Sequence, residues 1–325
     1  ERNKKEYVGE LVLISDYGFV LTKRGVMYTD IFIEPDEIKN FKNGEKVVVI
    51  IKEWFEGRDN PNGKIIKGIG LPGETETEIH AILHENGLPY VFPKCVDEEA
   101  EQLKKEIDRK ELKRRRDFRK VTTITIDPVN AKDFDDALSL KIINENLFEI
   151  GIHIADVSHY LKENSFMEKE AYERGTSIYL VDRVVPMLPE KLSNELCSLI
   201  EKEEKYTFSA VFQMNNKSEV LNEWYGKTVI KSNKRFSYEE VNHILQNQTK
   251  TIKKHISLQK ENDTISGELY DAIIIFNNLA KKLRKKRIKD GAISFERKEV
   301  NFNLNNKNEP VSIFYKEYGD ANKLI

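Results

Sequence analysis

At the start of the chain, short runs of apolar and β-branched residues alternate with polar turn residues. Gly44, Gly57 and Gly63 lie in the intervening turns. The runs are Tyr7–Ile14, Tyr17–Thr22, Asp30–Ile33, Lys46–Ile51 and Lys64–Ile69. Several short strands with turn residues between them are typical of a small closed β-barrel. We therefore predict a barrel domain over residues 1–71.

The pattern over residues 72–120 changes to helical spacing, and we interpret this segment as a connector. Thr75 and Glu78 have the spacing of a capping box, which predicts the start of a short helix. A second helix is predicted over Asp97–Phe118. Acidic residues lie in its early turns and the basic run Lys113–Arg116 lies near its end, a distribution that matches the helix dipole. The basic run is therefore interpreted first as a solvated helix end, with phosphate contact as the alternative.

Residues 121–325 combine strand-like and helix-like patterns, which predicts a mixed α+β domain. The β-branched run Val121–Ile126 predicts a strand that ends at Asp127. The segment Asn144–Asn146 separates two further apolar runs and is typical of a hairpin turn. The other predicted elements are strands at Leu138–Ile143, Leu147–Ile154, Tyr206–Met214, Val220–Ile230, Ile293–Leu304 and Val311–Tyr318, and helices at Leu188–Ile200, from Ser237 and at Gly267–Lys289. The fold class expected for the whole chain is α+β, with a small barrel followed by a mixed domain.

The composition narrows the class of protein. The chain has 325 residues, of which 39% are hydrophobic and 33% charged, with a net charge of −2. This length favours about two domains, and the charge argues against a uniformly basic RNA binder. Cys95 and Cys197 are too few for a disulfide framework, and no apolar run is long enough to span a membrane. We expect a cytoplasmic protein that does not bind membranes. The chain begins with Glu1 and not with Met, which suggests a fragment.

Four aspartates lie within ten residues at the end of the predicted strand: Asp127, Asp133, Asp135 and Asp136. We call residues 127–136 the acidic loop and these four residues the loop aspartates. Carboxylates this close repel one another and raise at least one pKa unless a counter-charge lies among them. Oxygen ligands without His or Cys favour Mg²⁺, Mn²⁺ or Ca²⁺ over zinc or copper, and Mg²⁺ commonly shares its ligands with substrate phosphates. The loop therefore predicts a metal site that acts on a phosphate ester.

The spacing also requires the acidic loop to fold back. An extended chain would place Asp127 about 20 Å from Asp133, at roughly 3.3 Å per residue, which is too far for one metal cluster. Two alternatives remain, a solvated acidic turn or an Asp cap on the following segment. A calcium-binding EF-hand fits less well, because its alternating ligands and its central Gly are missing.

The acidic loop resembles the acidic signature of the RNase II and RNase R exoribonucleases, and the resemblance continues in the same order along the chain. The matching segments are Gly151–Tyr160, Arg174–Tyr179, Pro186–Pro189 and Leu192–Leu199. This resemblance implies a processive, Mg²⁺-dependent 3′-to-5′ hydrolase that converts single-stranded RNA to nucleoside monophosphates. It also implies that the loop aspartates are the catalytic metal ligands and that Tyr179 packs against the terminal nucleotide. The alternative for Tyr179 is an ordinary half-buried strand residue.

The barrel resembles a cold-shock domain with the OB fold. The segments that carry this resemblance are Tyr17–Val20 and Asp30–Ile33. The resemblance implies that Phe19 and Phe32 stack on RNA bases, a contact that tolerates any sequence. This copy departs from the cold-shock pattern, because Glu34 and Pro35 follow at positions where the family has His and an aromatic residue. The alternative is that both rings fill the barrel interior.

The end of the predicted helix Gly267–Lys289 carries seven basic residues in nine. Lys285, Lys286 and Arg287 are the candidates for contact with RNA phosphates, since phosphate binding favours clustered cations. The alternative is again a basic helix end that is favoured by the helix dipole.

Three functions therefore compete: an RNA exonuclease, a non-catalytic RNA-binding module, and an unrelated Mg²⁺-dependent phosphatase with an Asp-rich loop. In the family that the chain resembles, the catalytic domain normally continues past Ile325. The resemblance thus implies one cold-shock barrel and the first half of a catalytic domain, with weak or no activity in this chain alone. We expect a monomer.

Overall fold

The structure is a computed structural model that describes residues 6–23, 26–293, 299–306, 309–316 and 318–324. The described residues form two compact units, one up to Phe92 and one from Pro93, except that Asn306 and Glu309 group with the first. Both units contain strands and helices, so the predicted α+β class is confirmed.

The first unit contains a closed barrel of five strands, as the sequence predicts. Its elements are β1 (Glu6–Ile14), β2 (Tyr17–Thr22), β3 (Ile31–Ile33), α1 (Pro35–Ile38), β4 (Lys46–Glu53), β5 (Asn62–Gly70) and α2 (Thr75–Glu85). The strands follow the order β1-β2-β3-β5-β4 around the barrel, and only β3 and β5 pair in parallel. Because side chains alternate along each strand, Leu11, Val20, Ile31 and Val47 point inward and are fully buried.

Helix α2 begins one residue earlier than the capping box predicts, and it has a different cap. Glu74 is the N-cap residue, and its side chain makes no capping hydrogen bond. The Glu78 carboxylate accepts a hydrogen bond from the Gly73 N–H at 3.0 Å. The predicted capping box between Thr75 and Glu78 is therefore wrong, because the chain turns into the helix one residue earlier.

The second unit is built around a seven-stranded sheet with the order β14-β7-β8-β9-β12-β13-β6. Its strands are β6 (Arg116–Asp117), β7 (Thr122–Asp127), β8 (Asp136–Asn144), β9 (Leu147–Ala155), β10 (Ile178–Tyr179), β11 (Val184–Val185), β12 (Glu204–Asn215), β13 (Val220–Lys231), β14 (Lys234–Ser237), β15 (Thr251–Ile252), β16 (Asp263–Thr264), β17 (Glu299–Leu304) and β18 (Pro310–Lys316). Its helices are α3 (Lys94–Glu101), α4 (Arg109–Leu112), α5 (Val157–Tyr160), α6 (Phe166–Arg174), α7 (Tyr238–Asn247) and α8 (Gly267–Lys289), with a π-helical turn at Lys191–Leu196 and a 3₁₀ turn at Ala321–Lys323. The predicted hairpin of β8 and β9 lies at the middle of the sheet.

The core of this unit lies between the sheet and the two longer helices. Val241 of α7 and Phe276 of α8 share one buried cluster with Ile124, Leu138 and Ile150 of the sheet. Burial of apolar surface of this kind stabilises a fold by about 25 cal/mol per Å². The strands that carry the acidic loop therefore belong to a sheet that is packed against α7 and α8.

Strand β14 connects the sheet directly to helix α7. It runs parallel to β7 and places Ser237 opposite Asp127. Ser237, where the sequence predicts the start of a helix, caps α7 through a capping box, because its hydroxyl accepts from the Glu240 N–H while the Glu240 carboxylate accepts from the Ser237 N–H. The start of α7 is thus fixed next to the end of β7.

Two predicted helices differ from the structure. The helix predicted over Asp97–Phe118 is replaced by α3, α4 and the short strand β6. The reason is tertiary, because the Arg115 side chain is fully buried against Asp156 and Arg116 pairs with β13. Of the helix predicted over Leu188–Ile200, only the π-helical turn Lys191–Leu196 is present. Cys197, which follows this turn, is buried.

The longest of the described helices, α8, has the bounds predicted from the sequence and contains 23 residues. No helix in the described part of the chain combines the length and the apolar character needed to cross a membrane. Strands β17 and β18 form the predicted final hairpin. Part of its first predicted strand, residues 294–298, and residue 317 of the second lie outside the described residues.

Candidate functional site

The acidic loop connects two neighbouring strands at one edge of the sheet. Asp127 is the last residue of β7 and Asp136 is the first residue of β8. Between them the chain turns back on itself, and the Ala131 N–H donates to the Pro128 carbonyl oxygen at 3.0 Å. The chain therefore turns directly after β7, while the approach of all four carboxylates to one another stays a prediction.

Burial and mutual repulsion raise the pKa values of three of the loop aspartates. Asp127 is 7% exposed, and its Oδ2 atom has no hydrogen-bond partner. Burial raises the pKa of Asp127 to about 7, and the negative charges of Asp136 and Asp135 add to the rise. Burial also raises the pKa of Asp135, and the negative charge of Asp133 raises it further. The pKa of Asp136 is raised in the same way by burial and by the charge of Asp135. The positively charged residues nearby therefore do not fully compensate the negative charge of these aspartates.

Tyr179 lies against the acidic loop from a separate hairpin. It is the last residue of β10, which pairs with β11. Its hydroxyl donates a hydrogen bond to Oδ2 of Asp133 at 3.1 Å. Burial and the charge of Asp133 raise the pKa of Tyr179, so the hydroxyl stays protonated and remains a donor. The sequence resemblance assigns Tyr179 to the substrate, and the structure adds this contact with a loop aspartate.

The loop aspartates fit a hard divalent cation in two respects. Their donors are all carboxylate oxygens, and one buried oxygen, Oδ2 of Asp127, lacks any partner. Within the described ranges, no three or more His, Cys, Asp or Glu side chains are grouped as a preformed metal site. The set of metal ligands therefore stays a prediction, supported by donor chemistry and by uncompensated charge.

The barrel presents a cluster of aromatic rings. Phe19 of β2 lies opposite Phe32 of β3, and their ring centroids are 5.7 Å apart. Tyr17 joins them, at 6.0 Å from Phe19 and 5.6 Å from Phe32. All three rings are half-buried and none belongs to the buried barrel core. The alternative that Phe19 and Phe32 fill the barrel interior is therefore wrong, and Tyr17 is an additional ring that the sequence analysis missed.

Two known protein families match this chain, one in each of the two units. A model of the RNB domain matches residues 115–325, and a model of the cold shock domain matches residues 19–93. The chain belongs to the RNB family. Ribonuclease R of Thermotoga maritima is 35% identical over 100% of this chain and 44% of the relative's length. The DIS3-like exonuclease 2 of Xenopus tropicalis is 36% identical over 85% of this chain and 33% of its own length. The chain thus spans less than half the length of these curated relatives.

Solved structures are also similar to this chain. Mycoplasma genitalium RNase R in complex with double-stranded RNA matches 100% of this chain and 55% of its own chain, with a TM-score of 0.89 and 25% identity. Yeast Ssd1, described as a pseudonuclease, matches 90% of this chain and 35% of its own, with a TM-score of 0.67 and 18% identity. The second likeness concerns the fold alone.

The RNB domain contains a buried ion pair between Arg115 and Asp156. The Arg115 NH2 group donates to Oδ2 of Asp156 at 2.6 Å, and both side chains are almost fully buried. Asp156 also accepts from the Ser158 hydroxyl at 2.6 Å. Interpretation of Lys113–Arg116 as a solvated helix end is therefore wrong, because Arg115 has a structural role. Sequence spacing carried no signal for this pair, whose members lie 41 positions apart.

The basic end of α8 contains two kinds of residue. Lys281 pairs with Asp320 at 2.5 Å, and the Arg284 guanidinium donates to the Lys323 carbonyl oxygen at 2.8 Å. The three candidates for phosphate contact, Lys285, Lys286 and Arg287, are exposed. The candidates are thus accessible, and their contact with RNA stays a prediction.

Proposed function

We propose that this chain is part of a processive exoribonuclease that removes nucleoside monophosphates from the 3′ end of single-stranded RNA. The observation that carries the proposal is the buried Asp127 carboxylate, which keeps an unpaired oxygen and feels the negative charges of Asp135 and Asp136. Membership of the RNB family and the similarity to Ribonuclease R support it. Because the solved structures of Mycoplasma genitalium RNase R include complexes with double-stranded and with ribose-methylated single-stranded RNA, RNA is the proposed substrate.

The four loop aspartates are the proposed ligands of Mg²⁺, with Mn²⁺ as an alternative. Bound cations of this kind supply a nucleophilic water and neutralise charge on the scissile phosphate. The chain's own contribution is to concentrate carboxylate oxygens at a rigid sheet edge, where burial weakens their solvation. Tyr179 orients Asp133 through its hydroxyl, while its ring is available to pack against the terminal nucleotide.

RNA binding is assigned to two further surfaces. In the barrel, Phe19 and Phe32 offer rings for base stacking, which is worth about 1 to 3 kcal/mol per base and tolerates any sequence. At the end of α8, Lys285, Lys286 and Arg287 offer cations for the phosphate backbone. We propose a monomer that acts in the cytoplasm, consistent with two free cysteines.

The test of this function is Asp135→Asn in the complete protein, compared with Asp271→Asn, which removes an exposed carboxylate from α8. We expect Asp135→Asn to abolish Mg²⁺-dependent release of nucleoside monophosphates from a labelled RNA while RNA affinity changes little. The control variant is expected to retain full activity. Comparable turnover by Asp135→Asn would exclude the loop aspartates from the chemistry.

The non-catalytic RNA-binding module is the second candidate, since the same fold occurs in a protein described as a pseudonuclease. It predicts that wild-type protein binds RNA but releases no monophosphates at any Mg²⁺ or Mn²⁺ concentration. The phosphatase alternative instead predicts rapid hydrolysis of a small phosphate monoester with no action on RNA. The same assays therefore separate all three functions.

A further inference from the structure

A single arginine connects the two ends of the acidic loop. Arg235 lies on β14, opposite Thr125 of the neighbouring strand β7. Its NH2 group donates to the carbonyl oxygens of Pro128 and Val129, at 2.8 and 2.9 Å. Both carbonyls belong to the first residues after Asp127. The guanidinium therefore fixes the direction in which the chain leaves the strand.

The same guanidinium also contacts the other end of the loop. The Arg235 Cζ atom lies 4.6 Å from the centre of the Phe134 ring, in a cation–π contact. Phe134 is 9% exposed and lies between Asp133 and Asp135. Burial raises the pKa of Asp127, and the positive charge of Arg235 offsets part of this rise. Arg235 thus has a steric and an electrostatic contact with the loop.

A serine holds the loop through its backbone. Ser198 is fully buried, and its hydroxyl accepts from the Phe134 N–H at 3.0 Å and donates to the Lys132 carbonyl oxygen at 3.1 Å. Next to it, the Leu199 N–H donates to the Phe134 carbonyl oxygen at 2.8 Å. Both backbone polar groups of Phe134 are therefore satisfied by one short segment. The residues on either side of Phe134 carry two of the four carboxylates.

These contacts oppose the repulsion among the loop aspartates, which would otherwise spread the loop. We propose that Arg235 and Ser198 are positioning residues that fix the backbone of the acidic loop, and with it Asp133 and Asp135, relative to Asp127 and Asp136 before any cation binds. The inference rests on the proposed function, because it concerns the same carboxylates. It assigns to two non-acidic residues the rigidity that a metal site requires of its supporting shell.

The test uses Ser198→Ala, Arg235→Met and Arg235→Lys in the 325-residue chain, with Arg119→Met as the matched control. Arg119 pairs with Asp117 and Glu204, and both partners lie outside the acidic loop. The first measurement is amide hydrogen exchange without metal. We expect faster exchange in peptides that cover residues 128–137 for Ser198→Ala and Arg235→Met, with strand β12 unchanged.

The second measurement is Mn²⁺ binding by calorimetry, without RNA. Loss of a supporting partner typically weakens metal binding by about 10- to 100-fold, and we expect a weakening in this range for Ser198→Ala and Arg235→Met. Arg235→Lys keeps the positive charge, but an ammonium group lacks the flat guanidinium that bonds both carbonyl oxygens and covers the Phe134 ring. We therefore expect its Mn²⁺ affinity to lie between those of Arg235→Met and the wild type. RNA affinity measured in EDTA should match the wild type in every variant.

The outcomes distinguish the two proposals. If the wild type binds Mn²⁺ and both Ser198→Ala and Arg235→Met bind it equally well with unchanged loop exchange, the positioning role is refuted and the proposed function stands. Complete recovery by Arg235→Lys would reduce the role of Arg235 to that of a counter-ion and would also contradict the proposal. If the wild type binds no Mn²⁺ at all, the proposed metal site itself fails, and the positioning role fails with it.

Discussion

The hydroxyl of Tyr179 donates a hydrogen bond to Oδ2 of Asp133 at 3.1 Å, across 46 positions of sequence. The Tyr179 residue is nevertheless 65% exposed. One side chain therefore touches a candidate metal ligand with its polar end and offers an accessible ring to a substrate. These two roles are separable by substitution.

Tyr179→Phe removes the hydroxyl and keeps the ring. We expect kcat for RNA hydrolysis to fall by about 2- to 10-fold, the value of one modest hydrogen bond, with KM unchanged. Tyr179→Ala should in addition raise KM, because it removes the stacking surface. Steady-state kinetics on a short RNA measure both effects, and Tyr172→Phe, at another exposed tyrosine, serves as the control. Equal kcat for Tyr179→Phe and wild type would show that the contact with Asp133 does not affect turnover.

Asp127 predicts a pH dependence of stability in the metal-free protein. Its pKa is raised from 3.8 to about 7, so between these values the folded state binds more protons than the unfolded state. The contribution of this group to stability is complete below about pH 4 and is lost as the pH rises through about 7. Its slope is at most about 1.4 kcal/mol per pH unit.

The measurement is the Tm of the metal-free chain between about pH 5 and pH 8. We expect Tm to fall across this range in the wild type and to fall much less in Asp127→Asn. Added Mg²⁺ should raise Tm more at the upper end than at the lower end, because only the ionised carboxylates bind it. A wild-type profile identical to that of Asp127→Asn would contradict the raised pKa.

Arg115→Met should destabilise the RNB unit strongly. It leaves the Asp156 carboxylate buried without its main partner, which typically costs about 3 to 5 kcal/mol. Arg119→Met breaks partly exposed ion pairs with Asp117 and Glu204 and should cost about 1 kcal/mol or less. Urea denaturation at neutral pH compares the two variants. Similar losses would mean that burial of the Arg115 pair has no special weight.

Phe19→Ala and Phe32→Ala should each weaken binding of single-stranded RNA, measured in EDTA to prevent hydrolysis. Loss of one stacked base costs about 1 to 3 kcal/mol, or about 5- to 150-fold in Kd. Tyr28→Ala removes a fully exposed ring from the same barrel and should have little effect. If all three variants lose affinity equally, the cluster of Tyr17, Phe19 and Phe32 has no particular role in RNA binding.

The triple alanine variant of Lys285, Lys286 and Arg287 should bind RNA with a weaker salt dependence. Each lost phosphate contact lowers the slope of log K against log salt by about 0.7 for a single strand, so the largest expected change is about 2. The control replaces Lys253, Lys254 and Lys260, which gives the same change in net charge. An unchanged slope in the first variant would assign the basic end of α8 to structure alone.

Most helices and strands could be predicted from the sequence because the patterns that indicate them involve residues close together in the chain. The alternation of apolar residues predicted the closed barrel and the hairpin of β8 and β9, and the helix predicted from Ser237 is α7. The helix predicted over Asp97–Phe118 failed because two of its residues have partners far along the chain. Arg115 forms a buried ion pair with Asp156 in place of a helical turn. No pattern within residues 97–118 indicates this partner, because it lies outside the segment.

The sequence by itself determined the chemistry that is available: four carboxylates within ten residues, no softer ligands beside them, and the motifs of the RNB family. It could not determine how those carboxylates are held, since they repel one another and would separate in an unsupported loop. Only the tertiary structure brings Ser198, Arg235 and Tyr179 against the loop, from 46 to more than a hundred positions away. Ordering these groups costs conformational entropy, which only the packed sheet and helices can offset.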